Sequence, residues 1–552
     1  MSSPLTDRLG PLTPLAERSM RFLKAEASSA AGFSPHAAVV FVACIGVYLL
    51  KKIGFLSGWG LAPTFALAVI VGSLAFIKSS DVARPLLIVQ RTIFLLFAFY
   101  AVISYPAVSD VYIYESWRSE FLHLHVRWLA PAVAVLAWFR PGFGIVPVAL
   151  MAWKKHLMAA QFGFKLNATD YYPVAELALY TTLAIGFAAA GAIILKRKEL
   201  PQPFKPNEGW SLGEAAFLGA FGIHIANYFY SAVAKVTLPG ASLLTWVLEN
   251  ETHNIMMATW VIGLGPLQSF EWMGFAGHEF MARFQHGSNA LVFASQVAGL
   301  FCIIRLRWAQ LLTGFYDIMH LVIFVTTSIL FWKWMTLNAG LVLALGWLIK
   351  RKEIPRPLVV MTMGVTLLAP TVFWVATLGW FDTAALNKAT VEAITEDGRS
   401  VELPNVYFLE GSAQVSKSSI GSPFDGHFDI SVFGKAKGGR EQMHRAKTCD
   451  LPVAEESGLA NSFTREPRLE TYFKQHHAYV QTRLNKEGRF NAWVFPHHNW
   501  ANPSRYRDYQ TLDLRQVTAY RYIIESVCLS YDGEGGVTED VRLRGTYVID
   551  VD

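Results

Sequence analysis

Charge is scarce over most of this chain. Of 552 residues, 16 % are Asp, Glu, Lys or Arg, against about a quarter in an ordinary soluble domain. The deficit lies before about residue 380, after which charge returns. Cysteine is also short: four residues, with no CxxC or CxxCH, exclude a disulfide-dense scaffold and a covalently attached haem. No GxSxG, P-loop, HExxH or Rossmann fingerprint occurs, so common hydrolase, nucleotide-binding and zinc-protease chemistries have no basis in the sequence. The first thirty-odd residues lack an apolar h-region. Residues 1–35 therefore read as a cytoplasmic amphipathic segment and not as a cleavable signal.

What is present is apolar: 53 % of the residues are hydrophobic and 14 % aromatic. Runs long enough to cross a bilayer lie at 36–54, 60–77, 85–107, 124–139, 142–160, 172–195, 211–236, 288–304, 309–334, 336–350 and 357–379. A further apolar piece, 254–275, is broken at Gly265-Pro266 and carries Glu271. The basic collars Lys196-Arg197-Lys198 and Lys350-Arg351-Lys352, with Arg140, Arg305 and Arg307, belong on the cytoplasmic side. They agree on one orientation only if the stretch between 238 and 287 dips in and returns; Lys51-Lys52 fits poorly. The expected fold is a polytopic α-helical membrane bundle over 36–380, with about eleven spans plus a re-entrant segment. A C-terminal β-rich α+β extracytoplasmic domain is expected over 381–552, with the N-terminus cytoplasmic. The net charge of +6 sits in the collars, so the expected partner is the lipid bilayer and not nucleic acid.

Beyond residue 383 the pattern changes. Residues 393–395, 400–403, 427–433 and 541–550 alternate like strands, and Asp397-Gly398 and Asp532-Gly533 mark turns. Residues 465–485 and 511–525 read as helical. Cys449 and Cys528 pair if this part faces an oxidising compartment, whereas Cys44 and Cys302 fall in apolar runs and read as packing residues. His476-His477 and His497-His498 read as surface residues. Asn167-Ala-Thr and Asn250-Glu-Thr match the glycosylation sequon, which matters only in a eukaryotic source.

Ionisable groups inside membrane-length runs are costly and mark functional positions. On the run 211–236, His224, Tyr228, Ser231 and Lys235 recur at i, i+4, i+7 and i+11, one helix face, with Asn227 flanking it. Lys235 lies near the outer end, so its stem either snorkels to the interface or lines a chamber, where its amine could serve as a general base. On the run 309–334, Thr313, Asp317 and His320 share a face; Asp317, one turn away, would orient the His320 imidazole. Interhelical hydrogen bonding explains the same spacing. Lys333, between Trp332 and Trp334, reads as an interface anchor. The stretch 110–127 is dense in charge and reads as an outer mouth or a solvated loop. Glu249, Glu251, His253, Glu271, His278, Glu279 and His286 lack compact ligand spacing, so no metal is assigned.

The motif Asn227-Tyr-Phe-Tyr-Ser-Ala-Val-Ala-Lys235, an aromatic and acidic stretch after it, and a later span bearing Asp317 and His320 resemble the vitamin K-dependent gamma-carboxylase family and the wider bacterial HTTM group. The resemblance covers about 210–345 and the general layout. It implies a quinone as cofactor, Lys235 at the base that deprotonates reduced vitamin K, and His320 at the histidine of the later span. It also implies a β-rich domain outside the membrane. The family's paired lysine is a single Lys235 here, Met319 stands where the family has Phe, and the outer domain is shorter than a carboxylase's. The resulting expectation is a membrane-embedded enzyme acting with or on a quinone- or isoprenoid-like molecule. Lys235, His320 and Asp317 would be catalytic, with His224, Asn227, Tyr228 and Ser231 around the ligand. The alternative is a non-catalytic scaffold subunit of a cell-envelope complex, binding a protein partner through its outer domain.

Overall fold

The computed structural model describes residues 34–56, 60–103, 117–162, 168–197, 209–266, 271–350, 353–379, 381–416, 439–450, 467–494, 499–533 and 536–551. The N-terminal segment, Asn167, residues 427–433, His497 and His498 lie outside them. Among the described residues, thirteen α-helices precede the sheet: α1 (Pro35–Lys52), α2 (Leu61–Leu74), α3 (Arg84–Ile103), α4 (Trp117–Phe139), α5 (Ile145–Phe162), α6 (Ala168–Arg197), α7 (Leu212–Val236), α8 (Thr245–Glu249), α9 (His253–Val261), α10 (Glu271–Phe301), α11 (Leu306–Thr327), α12 (Trp332–Ile349) and α13 (Arg356–Val372). Among the described residues, seven helices are long and apolar enough to cross a membrane. Leu61–Leu74, Leu124–Phe139 and Arg356–Val372 are shorter apolar helices.

Part of the segment expected to be re-entrant over 238–287 is continuous helix. Only α8 and α9 and their connections are irregular; from Glu271 onward α10 runs unbroken for 31 residues. Its polar residues between 271 and 287 extend a helix instead of interrupting one.

α7 is central. Buried residues fill 83 % of its membrane-length window, against 22 % for α11 on the periphery. Its start is set by a capping box, in which Ser211 and Glu214 bond each other's backbone N–H. Small residues let neighbours close in: a Cβ added at Gly222 would lie 2.9 Å from the Thr362 carbonyl oxygen on α13.

Two ends of the bundle follow from named contacts. At one end, His36 Nε2 lies 3.0 Å from Trp210 O, and Trp210 Nε1 donates to Glu353 O at 3.1 Å. At the other, Lys51 Nζ pairs with Glu176 at 2.7 Å and donates to Val372 O at 2.6 Å. The latter end carries the C-terminal sheet. Lys51 fits the charge rule poorly because it serves a buried carboxylate there: the Glu176 side chain is 3 % exposed.

The sheet has the antiparallel order β2-β1-β3-β4, from β1 (Ala385–Thr395), β2 (Ser400–Leu403), β3 (Val517–Tyr531) and β4 (Val537–Asp550). The helical reading of 511–525 is overturned: β3 begins at Val517 and is a central strand. Residues 522–524 are all buried and Arg521 and Glu525 only partly exposed, so no period of two shows along the strand. Among the described residues four α-helices accompany the sheet: α14 (Ser412–Ser416), α15 (Gly439–Lys447), α16 (Pro467–Glu487) and α17 (Arg507–Thr511), the last between α16 and β3. His476, read as a surface residue, is 1 % exposed on α16. Its ring lies 4.9 Å from Tyr407 and 5.3 Å from Phe408, and burial pushes its imidazole down to about 3. Cys449 and Cys528 form a disulfide with Cα atoms 5.9 Å apart, tying the end of α15 to β3.

Residues 499–502 wedge into the bundle. Trp500 N donates to Ser328 O at 3.1 Å, and Asn502 Nδ2 donates to Gly265 O at 2.9 Å. Ser328 ends α11 with φ 63°, and its hydroxyl donates to Trp500 O at 2.5 Å.

Candidate functional site

The polar stripe on α7 serves two neighbours. Past α13, residues 374–379 form neither helix nor strand, and backbone without a helix or sheet needs partners in an apolar setting. Residues at i, i+4 and i+8 of α7 supply them. Asn227 Oδ1 accepts from Ala376 N at 2.8 Å, Ser231 Oγ accepts from Leu378 N at 3.1 Å, and Lys235 Nζ donates to Leu378 O at 2.6 Å. Lys235 does not snorkel. It is 3 % exposed, also donates to Gln296 Oε1 at 3.1 Å and Ser231 O at 3.3 Å, and lies 4.6 Å from the Trp246 ring centroid.

Towards the other end of α7 the hub is Asn338 of α12. Its Oδ1 lies 2.7 Å from His224 Nε2, while its Nδ2 donates to Tyr228 Oη at 2.9 Å and Asp317 Oδ1 at 2.8 Å. Tyr228 stacks on Tyr316 at 3.7 Å. Asp317 and His224 are thereby bound to each other's helices through one amide. Lys333 is also buried, with Nζ 5.2 Å from the Tyr100 ring and 5.5 Å from Trp332, so it is not an interface anchor.

A cavity of about 410 Å³ lies where α7, α10 and α11 diverge, within the usual size range of small-molecule sites. Lys235, Ser231, Asn227, Tyr228 and His320 all line it. The His320 ring lies 5.0 Å from Phe331 and 5.9 Å from Tyr228. His224 and Asp317, expected beside the ligand, are not among the lining residues. The wall between α10 and α11 is apolar and open: Leu291, Ile318 and Val322 line the cavity yet are 57 %, 61 % and 52 % exposed on the outside of the bundle.

The polar end of the cavity contains residues that sequence reasoning missed. Asp382, past the last helix, is 2 % exposed; its N–H donates to Asn250 Oδ1 at 2.8 Å. Burial pushes its carboxyl from the ordinary 3.8 up to about 8, with Asn250 and Lys235 pulling the other way. Asn250 Nδ2 donates to Thr252 Oγ1 at 3.0 Å, the Thr252 hydroxyl bonds Asn289, and Asn289 Nδ2 returns to Asn250 O at 2.8 Å. Asn250 is fully buried, so its sequon is closed to glycosylation in the folded chain. Asn289 and Gln296, at i and i+7 on one face of α10, were a legible signal.

The loop 249–252 is clamped from the sheet side. Arg440 Nη2 and His444 Nε2 on α15 lie 2.7 Å and 3.1 Å from the Glu249 carboxylate, and Lys447 Nζ lies 3.3 Å from Glu251. Arg440 holds the Glu249 carboxyl below its ordinary value. Among the described residues no three His, Cys, Asp or Glu side chains converge on one point as a metal would need. No family model, curated protein or solved structure matches this chain.

Proposed function

We propose that this chain is a multi-pass membrane enzyme of the gamma-carboxylase-like kind. It takes a quinone- or isoprenoid-like molecule from the bilayer into the Lys235 chamber. The observation that carries the reading is the shape of that chamber: an acid and a base, Asp382 and Lys235, line one end, and Leu291, Ile318 and Val322 open the other side outward. An amphipathic lipid would enter between α10 and α11 and present its head to the polar end. Lys235 would accept a proton from a head-group hydroxyl, with His320 beside the ring of the ligand. Asp317 and His224 act at one remove, through Asn338.

The proposed topology is about eleven spans, with the irregular stretch before Glu271 dipping into the bilayer. The N-terminus is cytoplasmic and the sheet extracytoplasmic. Two observations support this: the Trp210–Glu353 end lies opposite the sheet, and the Cys449–Cys528 bridge suits an oxidising compartment.

The test is mass spectrometry of lipids that co-purify with the gently solubilised chain. A specific quinone or isoprenoid is expected with the wild type and not with Leu291→Trp or Val322→Trp, which fill the opening. Wild-type preparations containing only bulk phospholipid would overturn the reading.

One observation favours a second reading. The Asn227–Ser231–Lys235 ladder accounts for the α7 stripe with no ligand at all. In that reading the chain is a scaffold subunit whose residues 381–552 bind an envelope partner. A stoichiometric protein partner that survives Lys235→Arg but is lost with residues 383–552 would select it.

A further inference from the structure

The hydrogen-bond inventory of the chamber narrows what its polar end can receive. Lys235 Nζ lies within donating reach of three protein acceptors, Leu378 O, Gln296 Oε1 and Ser231 O. Asn289 gives both amide hydrogens to the Asn250 and Val247 carbonyls, and Ser231 gives its hydrogen to Asn227 O at 2.7 Å. The Lys235, Asn289 and Ser231 donors at this end are thus already engaged. The unmatched group is an acceptor: Asp382 Oδ1 is buried and receives no hydrogen bond among the described residues. A buried polar atom left without a partner costs about 1–3 kcal/mol, and at a cavity wall a ligand can remove that cost.

We propose that Asp382 is the head-group recognition residue of the chamber, and that it selects neutral lipids bearing a hydrogen-bond donor, a lipid alcohol or phenol, over phosphorylated lipids. A hydroxyl supplies the missing donor to Oδ1. A phosphate brings only acceptors and negative charge to a carboxyl whose neighbouring donors are committed. This rests on the chamber reading above, and it assigns the specificity of that chamber to one atom.

Three probes of one chain length separate the possibilities: geranylgeraniol, its methyl ether and its monophosphate, each titrated into the full-length protein in nanodiscs. Trp246 and Trp334 line the cavity and report occupancy through their fluorescence. At about pH 9, where the Asp382 carboxyl is ionised and can only accept, the alcohol is expected to bind on the order of tenfold more tightly than the ether or the phosphate, the usual worth of one hydrogen bond to a charged group. Asp382→Asn, of the same shape, is expected to bring alcohol and ether level. Equal binding of alcohol and ether by the wild type, or a preference unchanged in Asp382→Asn, overturns this inference and leaves the chamber reading standing. Binding of none of the three overturns both. The wild-type comparison decides the matter even if the variant fails to fold.

Discussion

The amine of Lys235 lies 2.6 Å from the carbonyl oxygen of Leu378, so the residue best suited to chemistry is also a fastener. Replacing it with alanine leaves that carbonyl, the Gln296 oxygen and the Ser231 carbonyl without their donor. Lys235→Ala should therefore lower stability by about 1–3 kcal/mol, read as a drop in the thermal transition of the detergent-solubilised chain. Lys235→Arg keeps donors to the carbonyls but cannot act as a base. If Lys235→Ala melts at the wild-type temperature, the extended segment 373–379 is held by something else.

Asn338 joins three helices through one side chain. Asn338→Ala is expected to destabilise by about 2 kcal/mol, because each interhelical hydrogen bond in a bundle of this kind contributes on the order of 0.6 kcal/mol and three partners are stranded. Tyr228→Phe, which removes one of them, should cost well under half as much. Equal losses in the two variants would show that Asn338 is not the hub.

Lys51 and Glu176 form an ion pair at the sheet end of the bundle, at 2.7 Å with the carboxylate buried. Lys51→Met strands a buried carboxylate and should cost on the order of 3 kcal/mol. Glu176→Gln, which leaves a half-exposed lysine, should cost less. A double-mutant cycle on unfolding midpoints measures the coupling, and a coupling near zero would mean the pair is incidental.

The Asp382 carboxyl, raised to about 8 by burial, gives a pH dependence of known sign. The folded chain holds the proton where the unfolded chain has lost it. The contribution to stability is full below about pH 4 and fades as pH rises through about 8. Melting temperatures of the wild type should fall between pH 6 and pH 9 more steeply than those of Asp382→Asn. Parallel curves would remove Asp382 as the titrating group.

Cys449–Cys528 anchors α15, and α15 clamps Glu249 and Glu251 next to the Asn250 and Thr252 that build the polar end of the chamber. The ion pairs are partly exposed and contribute up to about 1 kcal/mol each, so the covalent tie carries much of the ordering. Cys449→Ser with Cys528→Ser should speed amide hydrogen exchange at 249–252 and leave exchange in α7 unchanged. Unchanged protection at 249–252 would disconnect the bridge from the chamber.

Seven membrane-length apolar helices and the α7 stripe were legible because hydropathy and the 3.6-residue period are local properties, although the expected number of spans was larger. The hairpin turn at Asp397-Gly398 was legible for a similar reason: Gly398 takes φ 79°, which glycine adopts without strain. β3 was misread because a central strand buried on both faces loses its alternation, and His476 because nothing local tells a core histidine on α16 from a surface one.

Sequence alone determined that Lys235, Ser231 and Asn227 are polar groups in an apolar helix that require partners. Only the tertiary structure decided which partners, because Leu378 and Ala376 lie more than 140 residues away in the chain. Desolvation makes the demand at each residue, but it is met through space. Asp382 stands out for the same reason: the Asn250 that holds it lies 132 residues away in the chain, and no pattern around residue 382 records that.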